Sequence, residues 1–512
     1  MSLTNTLISR YLRRRIERIN YFELHAYEVQ NWVLEKLITS AKNTEWGKVY
    51  DYQLIHNYED FRKKVPVQDY ESLKSYIERV RQGENNVLWN TPIRWFAKSS
   101  GTTNDKSKFI PLSKESLYHC HFKAGKDMLS IYVNHYPQTR LFSGKSLVMG
   151  GSQTLHRVNH HQIVEGDLSA ILMQNLPFWA AKRSTPELKV ALMKNWEEKI
   201  AKMAQITIKE NVTSIIGVPS WTLVLLKRIL EDTNRQHIGE LWPRLEVFFH
   251  GGVSFRPYKQ EFEKLISLQH LHYVETYNAS EGFFGIQDDS SEKAMLLMLD
   301  YGIFYEFVPL DKIDQPDEYA LPLWQTELGK NYAMLISTNS GLWRYMLGDT
   351  IIFTRQNPYK FRVTGRTCHF INAFGEEVIA ENVERAFEIA CKECNAQLSE
   401  YTGAPVYFSQ NRNGAHQWLV EFEKTPEDFE CFVETFDKAL QSVNSDYEAK
   451  RFHDMVLSSP IIQQVPRGTF YQWMKNRNKL GGQNKVPRLA NERNIIEEIL
   501  EMLQQPTTKT NH

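Results

Sequence analysis

Apolar side chains recur at helical spacing between mixed charges over residues 1 to about 85, which predicts a mostly helical N-terminal segment. The stretch ESLKSYIERVRQG is one such helix, and Gly83 is its stop signal. From about residue 90 the pattern changes to short apolar runs, among them KSLVMGG, SIIGVPSW, LEVFFHGG and LHYVETYNAS, with helical stretches between some of them. Buried strands that alternate with helices predict an α/β core with a largely parallel sheet, which binds ligands where its strands end.

A second strand-rich passage runs from MLLMLDYGIFYEFVPL to AMLISTNSGLWRYMLGDTIIF. A helix is then expected over about 376 to 397, before the strands APVYFS and QWLVEFE. The next helix is expected at TPEDFE, with Thr425 as its N-cap and Pro426 in its first position. These patterns predict two domains. A large N-terminal domain of residues 1–366 contains mixed and parallel sheets and helices, and a small α+β C-terminal domain of residues 367–512 follows it in the sequence.

The length of 512 residues exceeds what one compact core holds, which agrees with two domains. The 61 basic and 61 acidic residues cancel, so the charge does not indicate nucleic acid as a partner. No apolar run is long enough to cross a membrane, and the basic cluster Arg13, Arg14 and Arg15 lacks the apolar core of a signal peptide. We therefore expect a cytoplasmic protein, not inserted in a membrane, whose first helix lies on the surface of the fold.

Five cysteines, an odd number spread thinly, indicate a reducing compartment and no disulfide framework. Cys391 and Cys394 form a single C-x-x-C in a stretch with helical spacing, whereas zinc would need a second pair. The histidines of HRVNHHQ have neither partner carboxylates nor an H-E-x-x-H arrangement. Both patterns are interpreted as ordinary structure.

Small hydroxyl groups and lysines are concentrated in KSSGTTNDKSKFIP, residues 98–111. Backbone N–H groups in such a stretch can wrap an anion, while hydroxyls add donors and lysines add charge, which suits a phosphate. The stretch does not match a Walker A loop, because it has no glycine before Lys106. On the residues alone it is either a phosphate-binding loop or a solvated turn between two strands.

The loop ETYNASEGFFG, residues 275–285, combines an aromatic ring, small polar groups and a carboxylate. Tyr277 can stack on a base, Ser280 can donate to a phosphate oxygen, and Glu281 can hold Mg²⁺. The alternative is a strand end with Glu281 in a surface ion pair.

Two further loops each contain a charged candidate site residue. In WRYMLGDTI a turn is expected at Gly348, and Asp349 suits the two hydroxyls of a ribose, although G-D is also a common turn dipeptide. In GGQNKVPRL, Lys485 lies on a glycine-marked loop of the C-terminal domain, where a single lysine is usually just solvated.

The order of these motifs is more specific than any one of them. A hydroxyl-rich loop, FFHGG, YNASEG, YMLGD and a basic C-terminal loop follow the order seen in adenylate-forming enzymes. In detail, SSGTTNDKSKFIP, IIGVPSW, FFHGGVSF, YNASEGFFG and NKVPR resemble the Gretchen Hagen family of acyl-acid amido synthetases, its bacterial members most closely. The resemblance covers nearly the whole chain from about residue 90 to 490.

The resemblance implies a two-step ligase. A carboxylic acid and ATP would give acyl-AMP and pyrophosphate, and the amine of an amino acid would then displace AMP to form an amide. The implied phosphate contacts are Ser99, Ser100, Thr102, Thr103 and Lys108. The other implied nucleotide contacts are Gly251, Gly252 and Tyr277 around the adenine, Ser280 at the α-phosphate and Asp349 at the ribose. Glu281 would serve catalysis by holding Mg²⁺, and Lys485 would be the catalytic lysine carried by the C-terminal domain.

The sequence departs from the plant pattern of that family at Asp105 and Ser107, where the pattern has Gly and Pro. Lys108, and not Lys106, occupies the family's lysine position. Cys368 stands where the wider superfamily often has a hinge aspartate.

Several alternatives stay open at this point. The segment around Val218, Pro219 and Trp221 either lines the acid pocket or packs as an ordinary helix. The chain is alternatively an acyl-CoA ligase of the same superfamily, or a nucleotide-binding relative without catalysis. The joint presence of Glu281, Asp349 and Lys485 argues against the last of these.

Overall fold

The computed structural model describes residues 3–102, 105–150, 156–158, 163–193, 195–253, 255, 258–367, 370–376, 378–408, 413–454, 456–477 and 486–504. The chain divides into two compact units. The first unit comprises residues 1–99 and 108–367, and the second comprises residues 100–107 and 368–512. The domain boundary between residues 366 and 367 stays a prediction.

The first unit contains most of the helices. They are α1 (Leu3–Arg13), α2 (Ile16–Leu24), α3 (Ala26–Ala41), α4 (Glu45–Val49), α5 (Tyr58–Lys64), α6 (Tyr70–Arg81), α7 (Lys114–Ser116), α8 (Phe122–His135), α9 (Leu168–Gln174), α10 (Phe178–Arg183), α11 (Leu188–Ala191), α12 (Trp196–Thr207), α13 (Pro219–Thr233), α14 (Lys259–Ile266) and α15 (Pro316–Tyr319). The helices of the second unit are α16 (Ala380–Glu393), α17 (Phe429–Val443), α18 (Ser445–Arg451), α19 (Thr469–Asn476) and α20 (Asn494–Gln504).

The strands form several sheets. They are β1 (Trp95–Thr102), β2 (Asp105–Leu112), β3 (Lys145–Val148), β4 (His156–Val158), β5 (Ile163–Gly166), β6 (Ser184–Thr185), β7 (Val212–Gly217), β8 (Val247–His250), β9 (His272–Ala279), β10 (Gly282–Ile286), β11 (Met295–Leu297), β12 (Ile303–Pro309), β13 (Leu321–Pro322), β14 (Asn331–Thr338), β15 (Tyr345–Gln356), β16 (Tyr359–Arg366), β17 (Phe370–Ile371), β18 (Val378–Ile379), β19 (Gln397–Val406), β20 (Ala415–Lys424) and β21 (Ile461–Val465).

The predicted helical N-terminal segment is confirmed, and α6 shows why its sequence forms a helix. The Asp69 carboxylate accepts a hydrogen bond from the Ser72 N–H at 2.8 Å, and the Ser72 hydroxyl accepts one from the Asp69 N–H at 3.0 Å. Leu73, Ile77 and Val80 recur on one face of the helix and are buried. Reciprocal capping and an apolar stripe therefore start the helix and hold it on the core.

A 12-stranded sheet forms the centre of the first unit, in the order β13-β12-β14-β15-β16-β11-β10-β9-β8-β7-β3-β6. The strands from β6 to β9 run parallel, with helices in their connections. From β9 to β13 every neighbouring pair is antiparallel. The predicted parallel sheet therefore describes one half, and short hairpin connections make the other half antiparallel.

A smaller sheet has the order β2-β1-β5-β4 and contains the hydroxyl-rich stretch. Much of that stretch is extended, since β1 reaches Thr102 and β2 starts at Asp105. Phe109 and Ile110 follow in β2, and the side chain of Ile110 is fully buried. Apolar side chains at this end of β2 hold the strand on the core.

Arg15 joins the N-terminal helices to the core. Its Nε and Nη2 atoms donate to the Asp127 carboxylate at 2.8 and 2.9 Å, and Nη2 also donates to Asp300 at 2.8 Å. The Tyr301 hydroxyl donates to the same Asp127 carboxylate at 3.0 Å. Arg13 and Arg14 are exposed, as expected for a surface segment, whereas Arg15 is a structural anchor.

The second unit contains a sheet of β19, β20 and β21, with α16 and α17 packed together beside it. The helix expected over residues 376 to 397 is shorter, because residues 378 and 379 form β18 and β19 already begins at Gln397.

The predicted start of the next helix at Thr425 is wrong. Helix α17 begins at Phe429, and its N-cap is Asp428, whose carboxylate accepts a hydrogen bond from the Cys431 N–H at 3.0 Å. A carboxylate satisfies this otherwise unpaired N–H group and also faces the positive end of the helix dipole, so Asp428 caps the helix in place of Thr425.

Within the described residues, no helix combines the length and the apolar character that a membrane span requires.

Candidate functional site

The parallel strands β3, β7, β8 and β9 end at the same edge of the large sheet, which we call the strand-end edge. Backbones approach one another closely there. A Cβ atom on Gly251 would lie 2.4 Å from the Thr276 carbonyl oxygen, so a larger residue would push β8 away from β9. Gly252 follows with φ of 83°, a conformation that favours glycine. The FFHGG motif therefore shapes the backbone at this edge.

Tyr277, Asp349 and Arg366 meet in this part of the sheet. The Tyr277 hydroxyl donates to Oδ2 of Asp349, and Nε of Arg366 donates to Oδ1 of Asp349 at 2.7 Å. The Tyr277 ring packs on Phe284 and Phe361, with centroids 5.0 and 5.9 Å apart. The side chain of Asp349 is 11% exposed and that of Arg366 is 26% exposed, so solvent reaches the group.

Strand pairing brings these residues together. Asp349 on β15 lies opposite Arg366 on β16, in an antiparallel pair. The turn predicted at Gly348 is wrong, since this residue lies inside β15. Its φ of 91° and the hydrogen bond from the Thr367 N–H to its carbonyl, 2.8 Å, mark an irregular position in the strand just before Asp349.

Ser280 and Glu281 form the two-residue loop of the β9–β10 hairpin, because Ala279 pairs with Gly282. Both side chains are partly exposed. The hairpin therefore presents a hydroxyl and a carboxylate just beyond the carboxyl end of β9.

Electrostatics join Glu281 to the same group. Burial raises the pKa of the Tyr277 hydroxyl well above its usual range, the charges of Asp349 and Glu281 raise it further, and Arg366 opposes them. Burial likewise raises the pKa of Tyr345, again with a contribution from the Glu281 charge. Tyr277 is therefore a protonated hydrogen-bond donor, and we call Tyr277, Glu281, Asp349 and Arg366 the Tyr277 cluster.

The structure describes the other predicted site residues unevenly. Lys108 lies on β2, with Nζ 5.8 Å from the centre of the Tyr70 ring. The predicted residues that fall outside the described part, by side chain or entirely, are Ser99, Ser100, Thr102, Thr103 and Lys485.

The segment around Val218 packs as an ordinary helix, and its role in lining an acid pocket stays a prediction. Pro219 is buried in the first position of α13, as ordinary helix packing requires. Val218 is the residue just before that helix, and its Cγ2 atom lies 3.4 Å from the position of a Cβ on Gly252. Val218 therefore lies at the strand-end edge, beside the Gly251–Gly252 turn.

Arg366 is a functional candidate that the motifs did not single out. The sequence contains one signal for it. The segments GDT and TGR lie on two neighbouring strand-like stretches, and an antiparallel hairpin between these stretches sets Asp349 opposite Arg366. Recognising that pair requires the register of the hairpin, which β-bulges shift on both sides of Ile351.

Metal binding by protein groups alone is not supported in the described residues, where no three His, Cys, Asp or Glu side chains are grouped to hold a cation. Glu281 and Asp349 each supply a carboxylate whose charge raises the pKa of Tyr277. Mg²⁺ typically uses one or two protein carboxylates and takes its remaining ligands from water and substrate phosphates. The residues present therefore fit a magnesium ion that arrives with a nucleotide.

The mixed sheet and the separate second unit define the class of protein, an adenylate-forming fold. The chain superposes on AtGH3.15 acyl acid amido synthetase in complex with 2,4-DB, with a TM-score of 0.58, 19% identity and 93% of each chain covered. It also superposes on 2-hydroxyisobutyryl-CoA ligase, with a TM-score of 0.54, 13% identity, and 92% of this chain and 91% of that chain covered.

Sequence comparison identifies the family within this class. The chain matches the GH3 family N-terminal domain over residues 15–271, the central domain over 296–366 and the C-terminal domain over 381–494. It is also similar to indole-3-acetic acid-amido synthetase GH3.4 of Arabidopsis thaliana, with 22% identity over 90% of this chain and 88% of the relative. The chain belongs to the GH3 family.

Proposed function

We propose that this protein activates a small carboxylic acid with ATP and transfers the acyl group to the amine of an amino acid. A carboxylate is a poor electrophile, and its oxygen is a poor leaving group. Joining it to AMP gives a mixed anhydride with pyrophosphate as the other product, and attack by an amine then forms an amide and releases AMP. The protein contributes mainly positioning and neutralisation of charge.

The observation that carries the proposal is the Tyr277 cluster, which lies at the strand-end edge of a GH3 family member. The relatives described above are named as amido synthetases, which supports amide formation as the second step. The cluster offers an aromatic ring and two carboxylates, which suit an adenine, the ribose hydroxyls and a magnesium ion. These are the groups that adenylate formation needs in one place.

The residues have separate proposed roles. Asp349, held by Tyr277 and Arg366, accepts hydrogen bonds from the ribose hydroxyls. The Tyr277 ring and the Gly251–Gly252 turn flank the adenine, and Ser280 donates to the α-phosphate. The further phosphate contacts that we propose from the family resemblance are Ser99, Ser100, Thr102, Thr103 and Lys108.

Glu281 is the proposed ligand of Mg²⁺, which would neutralise phosphate charge when it is bound. Lys485 is the proposed catalytic lysine, and its ammonium group neutralises the charge that develops at the α-phosphate while the carboxylate attacks it and pyrophosphate leaves.

An acyl-CoA ligase is the second candidate, because a protein of that name has the same fold. The two candidates share the adenylation step and differ only in the acceptor. The acceptor is therefore the variable that an experiment has to change.

The proposal is tested by pyrophosphate release from the purified protein with ATP, Mg²⁺ and a panel of carboxylic acids. Each acid is supplied with mixed amino acids or with CoA, and mass spectrometry identifies the products. We expect acid-dependent release that EDTA abolishes, and an acyl–amino-acid amide as the product. A CoA thioester would establish the second candidate, and ATP binding without release for any acid would contradict both.

Lys485→Ala separates catalysis from binding. We expect kcat for adenylation to fall by about 100-fold while the Kd for ATP stays within about twofold of the wild type, because the lysine acts on the charge of the transition state. The matched control is Lys475→Ala, at an exposed lysine of α19, which should change neither quantity. A large loss of ATP affinity in Lys485→Ala would contradict this division of roles.

A further inference from the structure

Two cysteine side chains of the second unit lie in contact. Cys394 directly follows α16 and Cys431 lies in the first turn of α17, and their Sγ atoms are 3.8 Å apart. The Thr435 hydroxyl lies 3.9 Å from the first sulfur and 4.0 Å from the second. The sulfurs are thus at van der Waals distance, and a bond of about 2.05 Å between them requires only a local approach.

The surrounding packing keeps the two sulfurs together. Phe387 on α16 packs at a tilt against Phe436 on α17, with ring centroids 4.3 Å apart, and Phe432 stacks on the Phe387 ring. Both helices also carry further apolar side chains into the core of the unit, so their relative position is fixed by packing. The contact between Cys394 and Cys431 is therefore a stable feature of this helix pair.

The two thiols differ in access. Cys431 is exposed, whereas Cys394 is 9% exposed, so a dissolved oxidant reaches Cys431 first. Burial raises the pKa of the Cys394 thiol, which lowers its thiolate fraction. Cys391 lies one turn before Cys394, and burial raises its thiol pKa as well. This arrangement is one exposed attacking thiol beside one sheltered resolving thiol.

We propose that Cys394 and Cys431 form an oxidisable dithiol that a hydroperoxide converts to a disulfide between α16 and α17. The Cys431 sulfur attacks the peroxide oxygen, which gives a sulfenic acid and, with hydrogen peroxide as the oxidant, one water molecule. The Cys394 sulfur then displaces the hydroxyl group of the sulfenic acid and releases a second water molecule. The peroxide gains two electrons, the two thiols lose them, and both thiol protons end in water.

The disulfide would stabilise the second unit. The two cysteines are 37 residues apart in the sequence, and β19 and β20 lie between them. Closing a loop of that length restricts the unfolded chain, so the unit unfolds at a higher temperature until a reductant opens the bond.

The test uses the full chain, treated briefly with hydrogen peroxide, alkylated with iodoacetamide, and digested without reduction for peptide mapping. We expect the Cys394 and Cys431 peptides to appear joined, lighter by two hydrogen atoms than the sum of the separate peptides. Cys391→Ser should keep this product, and Cys431→Ser should abolish it. Circular dichroism of each variant before oxidation establishes that its fold is intact.

Three results would overturn the proposal. Cys431 could end as a sulfinic acid while Cys394 is alkylated as a thiol, or the disulfide could join Cys391 to Cys394, or it could include Cys368.

Thermal unfolding supplies a second readout. Oxidation of the wild type should raise the Tm of the second unit by roughly 5 °C, and dithiothreitol should reverse the rise. Cross-linked protein with an unchanged Tm would contradict the stabilising role.

Discussion

The first unit contains two groups of nearly the same chemistry. In the Tyr277 cluster, a tyrosine hydroxyl and an arginine share the Asp349 carboxylate. In the group that we call the Asp127 cluster, made of Arg15, Asp127, Asp300 and Tyr301, a tyrosine hydroxyl and an arginine share the Asp127 carboxylate. The chemical composition of such a group therefore does not reveal its role.

Exposure and position distinguish the two clusters. The Asp127 side chain is fully buried, on a helix, and is held by two arginine nitrogens. The Asp349 side chain is 11% exposed and follows an irregular position in a strand. Its partner Tyr277 lies near the end of β9, shortly before the β9–β10 hairpin loop. A buried cluster stabilises the fold, whereas a partly open cluster at a sheet edge can exchange its contacts for those of a ligand.

The largest expected effect comes from Asp127→Ala. Removal of the Asp127 carboxylate leaves the Arg15 guanidinium, which is only 11% exposed, with Asp300 as its remaining ion-pair partner. We therefore expect the free energy of unfolding to fall by about 3 kcal/mol. Urea denaturation measures this loss, with Asp314→Ala, at an exposed aspartate, as the control. The Kd for ATP of the folded variant should match the wild type. A loss below about 1 kcal/mol would show that the Asp127 cluster is not the anchor described here.

Asp349→Ala should weaken ATP binding more than it lowers the stability of the fold. We expect the Kd for ATP to rise by about 10- to 100-fold, because the ribose hydroxyls lose a charged acceptor. The free energy of unfolding should fall less than in Asp127→Ala, since water can reach Arg366, whose side chain is 26% exposed. Isothermal titration with ATP measures the affinity. An unchanged Kd would assign Asp349 a structural role, like that of Asp127.

The smallest expected effects come from the two tyrosines, and they sharpen the same contrast. Tyr301→Phe removes a buried hydrogen bond of 3.0 Å to Asp127 and should lower the free energy of unfolding by about 1 kcal/mol. Tyr277→Phe keeps the ring and removes only the donor to Asp349, so we expect the Kd for ATP to rise about fivefold. We therefore expect Tyr301→Phe to change mainly the free energy of unfolding, and Tyr277→Phe to change mainly the Kd for ATP. Urea denaturation and ATP titration of both variants measure the two quantities. Equal changes in both quantities would remove the distinction between the clusters.

Local signals predicted much of the fold. The spacing of Leu73, Ile77 and Val80 defines α6, and apolar runs ending in glycine define β7 and β8. Predictions failed where two local rules competed. Both Thr425 and Asp428 are good caps, and the contact of Asp428 with the Cys431 N–H decides between them. Gly348 has the positive φ of a turn residue, yet its carbonyl accepts a hydrogen bond from the Thr367 N–H and it lies inside β15.

The site was predictable as a set of residues but not as a set of contacts. Tyr277, Glu281 and Asp349 stand out in the sequence as candidate chemistry in predicted loops, and the structure places Tyr277 in hydrogen-bond contact with Asp349. The hydrogen bond between Tyr277 and Asp349 joins residues 72 apart, through a sheet whose strand order is not sequential. Arg366 and the contact between Cys394 and Cys431 depend in the same way on register and helix packing.

The most direct test of the account is acid-dependent exchange of labelled pyrophosphate into ATP, measured for the wild type and Asp349→Ala with an acid from the panel. We predict exchange that requires the acid, with the KM for ATP raised about 10-fold or more in Asp349→Ala. Exchange that does not need an acid, or an unchanged KM for ATP in Asp349→Ala, would contradict adenylation at the Tyr277 cluster.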